Sequence, residues 1–317
     1  MWHKFKCFTT LKYKISDECI FYNYRMSHNN LMSKFYLQKI IGKGAFGVVY
    51  LATRIKDGIL VAIKIEKKDS TTLKLFDEYK IYKKIISRGF IHGIPHIYEM
   101  IETQNYNMLT MELLGKTLDD LHNDANKQFS ISTSLYIGLD ILRLIKNLHM
   151  ARFIHRDIKP SNFLIGHDNA QKIYLADFGL SKEYMNRHQV HIRQTFKKSM
   201  IGTARYSSIN MHMGIEPSRR DDLESIGYML IYFCRGVLPW QGLKCTSKKT
   251  FFEKIGDVKL STSAEKLCEN LPNCFVDYIK YCRNLQFAET PDYIHLENLF
   301  INEIIKNKYN KRYEWTM

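Results

Sequence analysis

The sequence predicts an α+β chain of two lobes: a small antiparallel-sheet N-lobe with one main helix, then a mainly helical C-lobe. Three observations lead there. Strand-like runs dense in β-branched and aromatic residues follow one another closely from Phe35. One helical stripe interrupts them, and after Gly115 long amphipathic helical periods take over. The length of 317 residues, set against the usual ~100–200 per domain, fits two compact units or one large bilobal one. With 45% hydrophobic and 25% charged residues, 16 Gly and 6 Pro, the composition is globular and excludes disordered or collagen-like chains.

Residues 1–34 hold Trp2, Phe5, Phe8, Tyr13, Phe21, Tyr22 and Tyr24 among lysines without a clear period, and form an extension of unknown structure. From Phe35, the runs Phe35–Ile41, Val48–Arg54 and Leu60–Glu66 read as an antiparallel meander. A stripe at Leu75, Tyr79, Tyr82 and Ile86 gives the helix, and runs at 97–101 and 108–113 add strands. Residues 35–114 therefore form the N-lobe. In residues 115–317, the C-lobe, Ile131, Leu135, Leu139, Leu142, Ile145 and Leu148 align on one helical face. Ser218 and Asp221 form a capping box that opens a further helix through Phe233. No internal repeat is visible.

No stretch approaches the ~18 apolar residues that span a bilayer, and the N-terminus lacks the apolar core of a signal peptide. Neither secretion nor membrane insertion is expected. The 7 cysteines are odd in number and never spaced Cys-x-x-Cys, which suggests neither a disulfide framework nor a zinc site. Cytoplasm or nucleus is the expected compartment. An excess of 47 basic over 32 acidic residues, net +15, calls for acidic partners: nucleic acid, or substrates bearing phosphate or carboxylate. No nucleic-acid-binding motif accompanies the charge, so direct nucleic-acid binding is not expected.

The first chemical motif is a glycine-rich turn between two strands: Ile41, Gly42, Lys43, Gly44, Ala45, Phe46, Gly47, Val48 and Val49. Glycines there let backbone N–H groups approach an anion. Joining two strands, the turn is neither a Rossmann turn nor a Walker loop, both of which open a helix. Next, Val61, Ala62, Ile63 and Lys64 place a lysine on an apolar strand facing the same cleft. Phosphoryl transfer requires a fixed cation on the nucleotide phosphates, itself held by a carboxylate. Glu78 on the helical stripe is the candidate; its neighbour Asp77 lies about 100° away around the helix.

The strongest segment runs His155, Arg156, Asp157, Ile158, Lys159, Pro160, Ser161, Asn162, followed by Asp177, Phe178 and Gly179. Asp157 suits orientation and deprotonation of a hydroxyl nucleophile, and Lys159 neutralisation of the transferred phosphoryl group. Asn162 and Asp177 are oxygen donors suited to Mg²⁺. His155 and Arg156 support the loop. In this order the segments make up the protein-kinase signature set, with ATP and Mg²⁺ as expected cofactors. A catalytically silent scaffold would ordinarily lack Lys64, Asp157 or Asp177, and all three are present.

Over about residues 35–315 the chain resembles the casein kinase 1 family of Ser/Thr protein kinases. The most telling run is Gly202 to Asn210, where Ser208, Ile209 and Asn210 stand in place of the usual Ala-Pro-Glu. Met111–Gly115, Asp177–Lys182, His212–Gly227 and Leu238–Lys244 are similar to the family almost residue for residue. The resemblance implies the bilobal protein-kinase fold and a monomer. It makes Met111 the gatekeeper, with the backbones of Glu112 and Leu114 holding adenine between Ala62 and Leu164, and Asp222 bracing the catalytic loop. It implies transfer to Ser or Thr in protein substrates with acidic or phosphorylated residues upstream. Arg205, Lys198 and Lys182 match anion-recognising positions. In agreement, eight Lys or Arg but only two acids lie between Lys182 and Arg220. One further family lysine falls on Phe251, with Lys248 and Lys249 nearby. Ending at Met317, with Cys282 its last cysteine, the chain is expected to lack an autoinhibitory tail and a lipid anchor and to be constitutively active. Thr195, Ser199 and Thr203 are available phosphoacceptors.

Overall fold

A computed structural model describes residues 34–44, 47–68, 74–243 and 247–316. The expectations placed on residues 1–33, Ala45 and Phe46 lie outside the described residues. Strands β1 (Phe35–Gly44), β2 (Gly47–Arg54) and β3 (Leu60–Lys67) form the expected meander. Helix α1 (Leu75–Ser87) follows, then β4 (Ile97–Glu102) and β5 (Tyr106–Glu112). All pairing is antiparallel, in the order β1-β2-β3-β5-β4. The period of two along β3 sorts its side chains: Val61, Ile63 and Ile65 join Phe35, Leu37, Tyr50, Ala52 and Met108 in the sheet's own core. Ala62, Lys64 and Glu66 alternate with them.

In α1 the fully buried line is Leu75, Glu78, Tyr82 and Ile85, one position away from the expected stripe in its second and fourth members. Tyr79 and Ile86 are half-buried. A carboxylate that meets a lysine takes the inward place that hydropathy assigns to a tyrosine.

The C-lobe begins with β6 (Leu114–Thr117) and α2 (Leu118–Asp124), where Thr117 and Asp120 form a capping box. Helix α3 (Ile131–Met150) buries the predicted leucine face, with Ile131 at its half-exposed start. After β7 (Phe153–Ile154), a hairpin of β8 (Phe163–Gly166) and β9 (Ile173–Leu175) pairs with β6, and β10 (Lys182–Glu183) pairs with β7. There follow α4 (Ile209–His212), α5 (Arg219–Arg235), α6 (Lys248–Ser261), α7 (Ala264–Leu267), α8 (Asn273–Asn284) and α9 (Tyr293–Lys306). The Asp221 carboxylate accepts the Ser218 N–H at 2.7 Å at the start of α5, as the capping motif predicts, and the helix runs two residues past Phe233. Almost every residue of α5 is buried, since α3, α8 and the shorter α4 pack around it. One apolar core continues from α1 through these helices to Tyr313, so α1 belongs to it as much as to the sheet. Among the described residues no helix is long and apolar enough to cross a membrane, and Cys234, Cys268, Cys274 and Cys282 are buried and unbridged.

Candidate active site

Strand pairing aligns the upper wall of the cleft. Val49 stands opposite Lys64, and Ala62 opposite Met111, so the strand after the glycine turn, the lysine and the end of β5 share one register. Gly47 has φ +140°, and a Cβ there would lie 2.3 Å from the Ile65 carbonyl oxygen. Only glycine allows β2 to close so tightly on β3. Lys64 Nζ reaches Glu78 Oε2 at 2.7 Å and Asp177 Oδ1 at 3.3 Å, with side chains 12%, 2% and 35% exposed respectively. Burial pulls the Lys64 ammonium downward, but the two carboxylates outweigh it and hold its pKa above the ordinary lysine value. Burial acts in the opposite sense on Asp177, and Lys64, with His155 and Lys159, keeps that carboxyl below its usual range. Asp77 turns outward instead, to Lys80 at 3.1 Å.

Below the cleft, the loop after β7 is held by one carboxylate. Asp222, buried on α5, accepts the backbone N–H of His155 at 2.7 Å and of Arg156 at 2.8 Å, and contacts His149 Nε2 at 3.0 Å. Burial alone would raise the Asp222 pKa; hydrogen bonding and charge from His149, with His155, hold it below the ordinary value. These anchors sustain Arg156 at φ +69°, a left-handed conformation uncommon outside glycine. His155 Nδ1 accepts the Asp157 N–H at 3.3 Å, which places the ring proton on Nε2, 3.4 Å from the Ala176 carbonyl oxygen. Its ring also meets Phe178, which in turn packs edge-on against Tyr82 of α1.

Asp157 is 7% exposed and both its carboxylate oxygens are engaged. Lys159 Nζ donates to Oδ2 at 2.6 Å, and the Thr203 hydroxyl donates to Oδ1 at 2.8 Å. Asn162 Nδ2 donates to the Asp157 carbonyl at 2.9 Å, leaving the amide oxygen for a cation. The Ala176 N–H donates to the Asn162 carbonyl at 2.9 Å, tying the asparagine to the segment that delivers Asp177. An amide oxygen and a carboxylate, completed by nucleotide oxygens, suit a hard cation such as Mg²⁺. Among the described residues no cluster of three or more His, Cys, Asp or Glu offers an all-protein metal cage. Leu164 lies on β8 opposite Thr117, and Leu114 on β6 opposite Gly166, both half-buried at the junction of the lobes.

The three cations expected to recognise phosphate are not brought together. Lys182 and Lys198 share the buried carboxylate of Glu216, at 2.7 and 3.3 Å, beside a cavity of about 130 Å³ that Arg156 and Ser199 also line. Arg205 lines a different and larger cavity of about 460 Å³, with Lys159, Thr203, Asp119, Trp240 and Phe251. Its guanidinium lies 5.3 Å from the centre of the Tyr232 ring and makes no ion pair among the described residues. The side chains of Lys248 and Lys249 lie outside the described residues.

Sequence reading missed Glu66 and Thr203 as site residues. Glu66 stands two residues beyond Lys64 on β3, and its carboxylate accepts the N–H of Lys74 at 2.7 Å and of Leu75 at 3.2 Å, capping α1. The period of two would have found it. For Thr203 the sequence offers only a phosphoacceptor hydroxyl; no local signal announces a contact with a residue 46 positions away.

A glycine-closed sheet over a lysine–carboxylate pair, facing a buried aspartate on a braced loop, defines a phosphoryl-transfer site in a two-lobed fold. The sequence matches the family model of the protein kinase domain over residues 35–313, and the chain belongs to the protein kinase family. Membership implies ATP as phosphoryl donor, typically with Mg²⁺.

Proposed function

We propose that this protein is a Ser/Thr kinase of the casein kinase 1 type, transferring the γ-phosphate of ATP to Ser or Thr in acidic or pre-phosphorylated protein substrates. The observation that carries the reading is the unbroken series of contacts from Glu78 through Lys64 and Asp177, and from Asn162 through Asp157 to Thr203. Adenine lies under the glycine turn between Ala62 and Leu164, against Met111 and the backbones of Glu112 and Leu114. Lys64 takes the α- and β-phosphates. Asn162 and Asp177 would hold Mg²⁺, which when bound would supply neutralisation of the phosphate charge. Asp157 aligns the incoming hydroxyl and receives its proton, while Lys159 meets the charge on the phosphoryl group. Because Glu78 already engages Lys64, the enzyme is active without a preceding modification.

Arg205 recognises the upstream acidic group, and its bidentate fork suits phosphate. With Phe251 beside it and Asp119 in the same cavity, the preference for phosphate over carboxylate is modest. The protein acts as a monomer in cytoplasm or nucleus.

The test is initial-rate phosphorylation of paired peptides with phosphoserine or alanine three positions before the acceptor serine. Wild type favours the primed peptide, Arg205→Ala removes the preference, and Asp157→Asn loses turnover on both. A wild type that phosphorylates neither peptide nor casein sinks the proposal.

A further inference from the structure

Lys259, in the last turn of α6, is completely buried, and no carboxylate lies within ion-pair distance of it among the described residues. A buried ammonium is costly unless each donor finds an acceptor. Here the donors converge on one short stretch of chain. Nζ donates to the Ala204 carbonyl at 2.8 Å and to the Ser207 carbonyl at 2.5 Å, and lies 3.3 Å from His212 Nε2. His212 Nδ1 is 3.0 Å from the Phe252 carbonyl. His212 Nε2 also lies 3.2 Å from the Ala204 carbonyl, so the imidazole joins the lysine in gripping the same stretch of backbone. The faces of Tyr228 and Trp240, 4.9 and 4.8 Å away, surround the charge with electron-rich surface.

The carbonyls so gripped flank Arg205 and Tyr206. The one between them, that of Arg205, accepts from the Trp240 indole N–H at 2.7 Å. Three carbonyls within four residues are therefore pinned from behind. Just before them, Thr203 touches Asp157 at 2.8 Å, and Gly202 has φ +75°, where a Cβ would lie 2.5 Å from the Arg156 carbonyl. The same face of α6 continues into the larger cavity: Phe251 and Ile255, spaced i and i+4 ahead of Lys259, line it together with Arg205 and Thr203. One helix thus builds a wall of that cavity and clamps the loop that forms the other.

We infer that Lys259 is a positioning residue for the protein substrate: it fixes the loop of residues 203–207 against the acceptor site through backbone carbonyls, without touching substrate or nucleotide. The inference rests on the kinase reading for the identity of the ligand, though not for the clamp. It separates the two substrates, because the loop borders the cavity beside Asp157 while Lys64 and the glycine turn lie on the other lobe.

The test uses the full chain with two variants, Lys259→Met, which keeps the alkyl stem and removes the ammonium, and Trp240→Phe, which removes only the indole donor. Initial rates are measured against acceptor peptide and ATP separately, and amide hydrogen exchange is followed by mass spectrometry. In Lys259→Met the peptide KM rises about tenfold or more while the ATP KM stays within about twofold, and amides of 203–207 exchange faster than the rest of the C-lobe. Trp240→Phe moves the same quantities less, and carries the test if Lys259→Met does not fold. Wild-type peptide KM and loop exchange in the variants overturn the inference. So does a parallel rise in both KM values with faster exchange throughout the C-lobe, which marks a merely structural lysine. If the wild type turns over no peptide while the loop exchange still responds, the kinase reading has failed and the clamp stands.

Discussion

Lys64 and Lys259 are both withdrawn from water, and the two regions hold them in opposite ways. Lys64, 12% exposed at the mouth of the cleft, meets two carboxylates. Lys259, fully buried behind the loop of residues 203–207, meets two carbonyls, an imidazole and two rings. Carboxylate partners can be exchanged: in the proposed function a nucleotide would bring phosphates to compete for Lys64 and a metal to compete for Asp177. Carbonyl partners in a closed pocket have nothing to exchange with. The comparison separates a lysine placed to handle ligand from one placed to hold backbone: the carboxylates hold the Lys64 pKa above the ordinary value, while burial pushes that of Lys259 well below it.

Four substitutions sharpen or break that distinction. Asp222→Ala strands the N–H groups of His155 and Arg156 together with His149, and stability in urea should fall by about 3–5 kcal/mol, as for a broken buried pair. Lys64→Met should lower kcat by about 10²–10³-fold and weaken ATP, leaving the peptide KM near wild type, the mirror image of Lys259→Met. Equal effects of the two lysine variants on both substrates would erase the contrast.

His212 supplies the third prediction, in the pH dependence of stability. Burial, with Lys259 adding repulsion, pushes its pKa down from 6.5 to about 4. The unfolded chain therefore binds the proton first, and stability is full above pH 6.5 and declines as pH falls toward 4. The advantage of wild type over His212→Gln should shrink by up to about 3 kcal/mol across that window, read from urea midpoints. Asp221 acts with opposite sign: burial raises its pKa from 3.8 to about 6, so it favours the fold as pH falls through that range. Because both proteins carry Asp221, its contribution cancels in the difference. Smallest is Phe251→Lys, which places a second cation beside Arg205 and should raise the preference for a primed peptide about tenfold, near 1.4 kcal/mol. An unchanged preference would mean that the anion does not sit in this cavity.

What could be read from the sequence was whatever lies within a few residues of itself. Asp157, Lys159 and Asn162 fall within one short loop, and the periods of β3 and α3 announce their own faces. Helix geometry lets only one of Asp77 and Glu78 face Lys64, the place by the helical stripe favours Glu78, and the structure pairs Glu78 with Lys64. The misplaced line of α1 arose because hydropathy gives a paired carboxylate no inward weight. Long-range returns left no local trace: Thr203 on Asp157, Lys259 on Ala204, Glu216 between Lys182 and Lys198. The family resemblance named Arg205 with those two lysines as anion-recognising positions, and the structure sets it at a different cavity from theirs.

Glu66 ties the strand that carries Lys64 to the helix that carries Glu78 at a second point, by capping the first turn of α1. A single salt bridge would act as a latch about which the helix could swing. With its N-terminus fastened to the same strand, α1 has no pivot left at that end, and swinging it outward must break the latch and the cap together. The arrangement is a bolted hinge more than a latch.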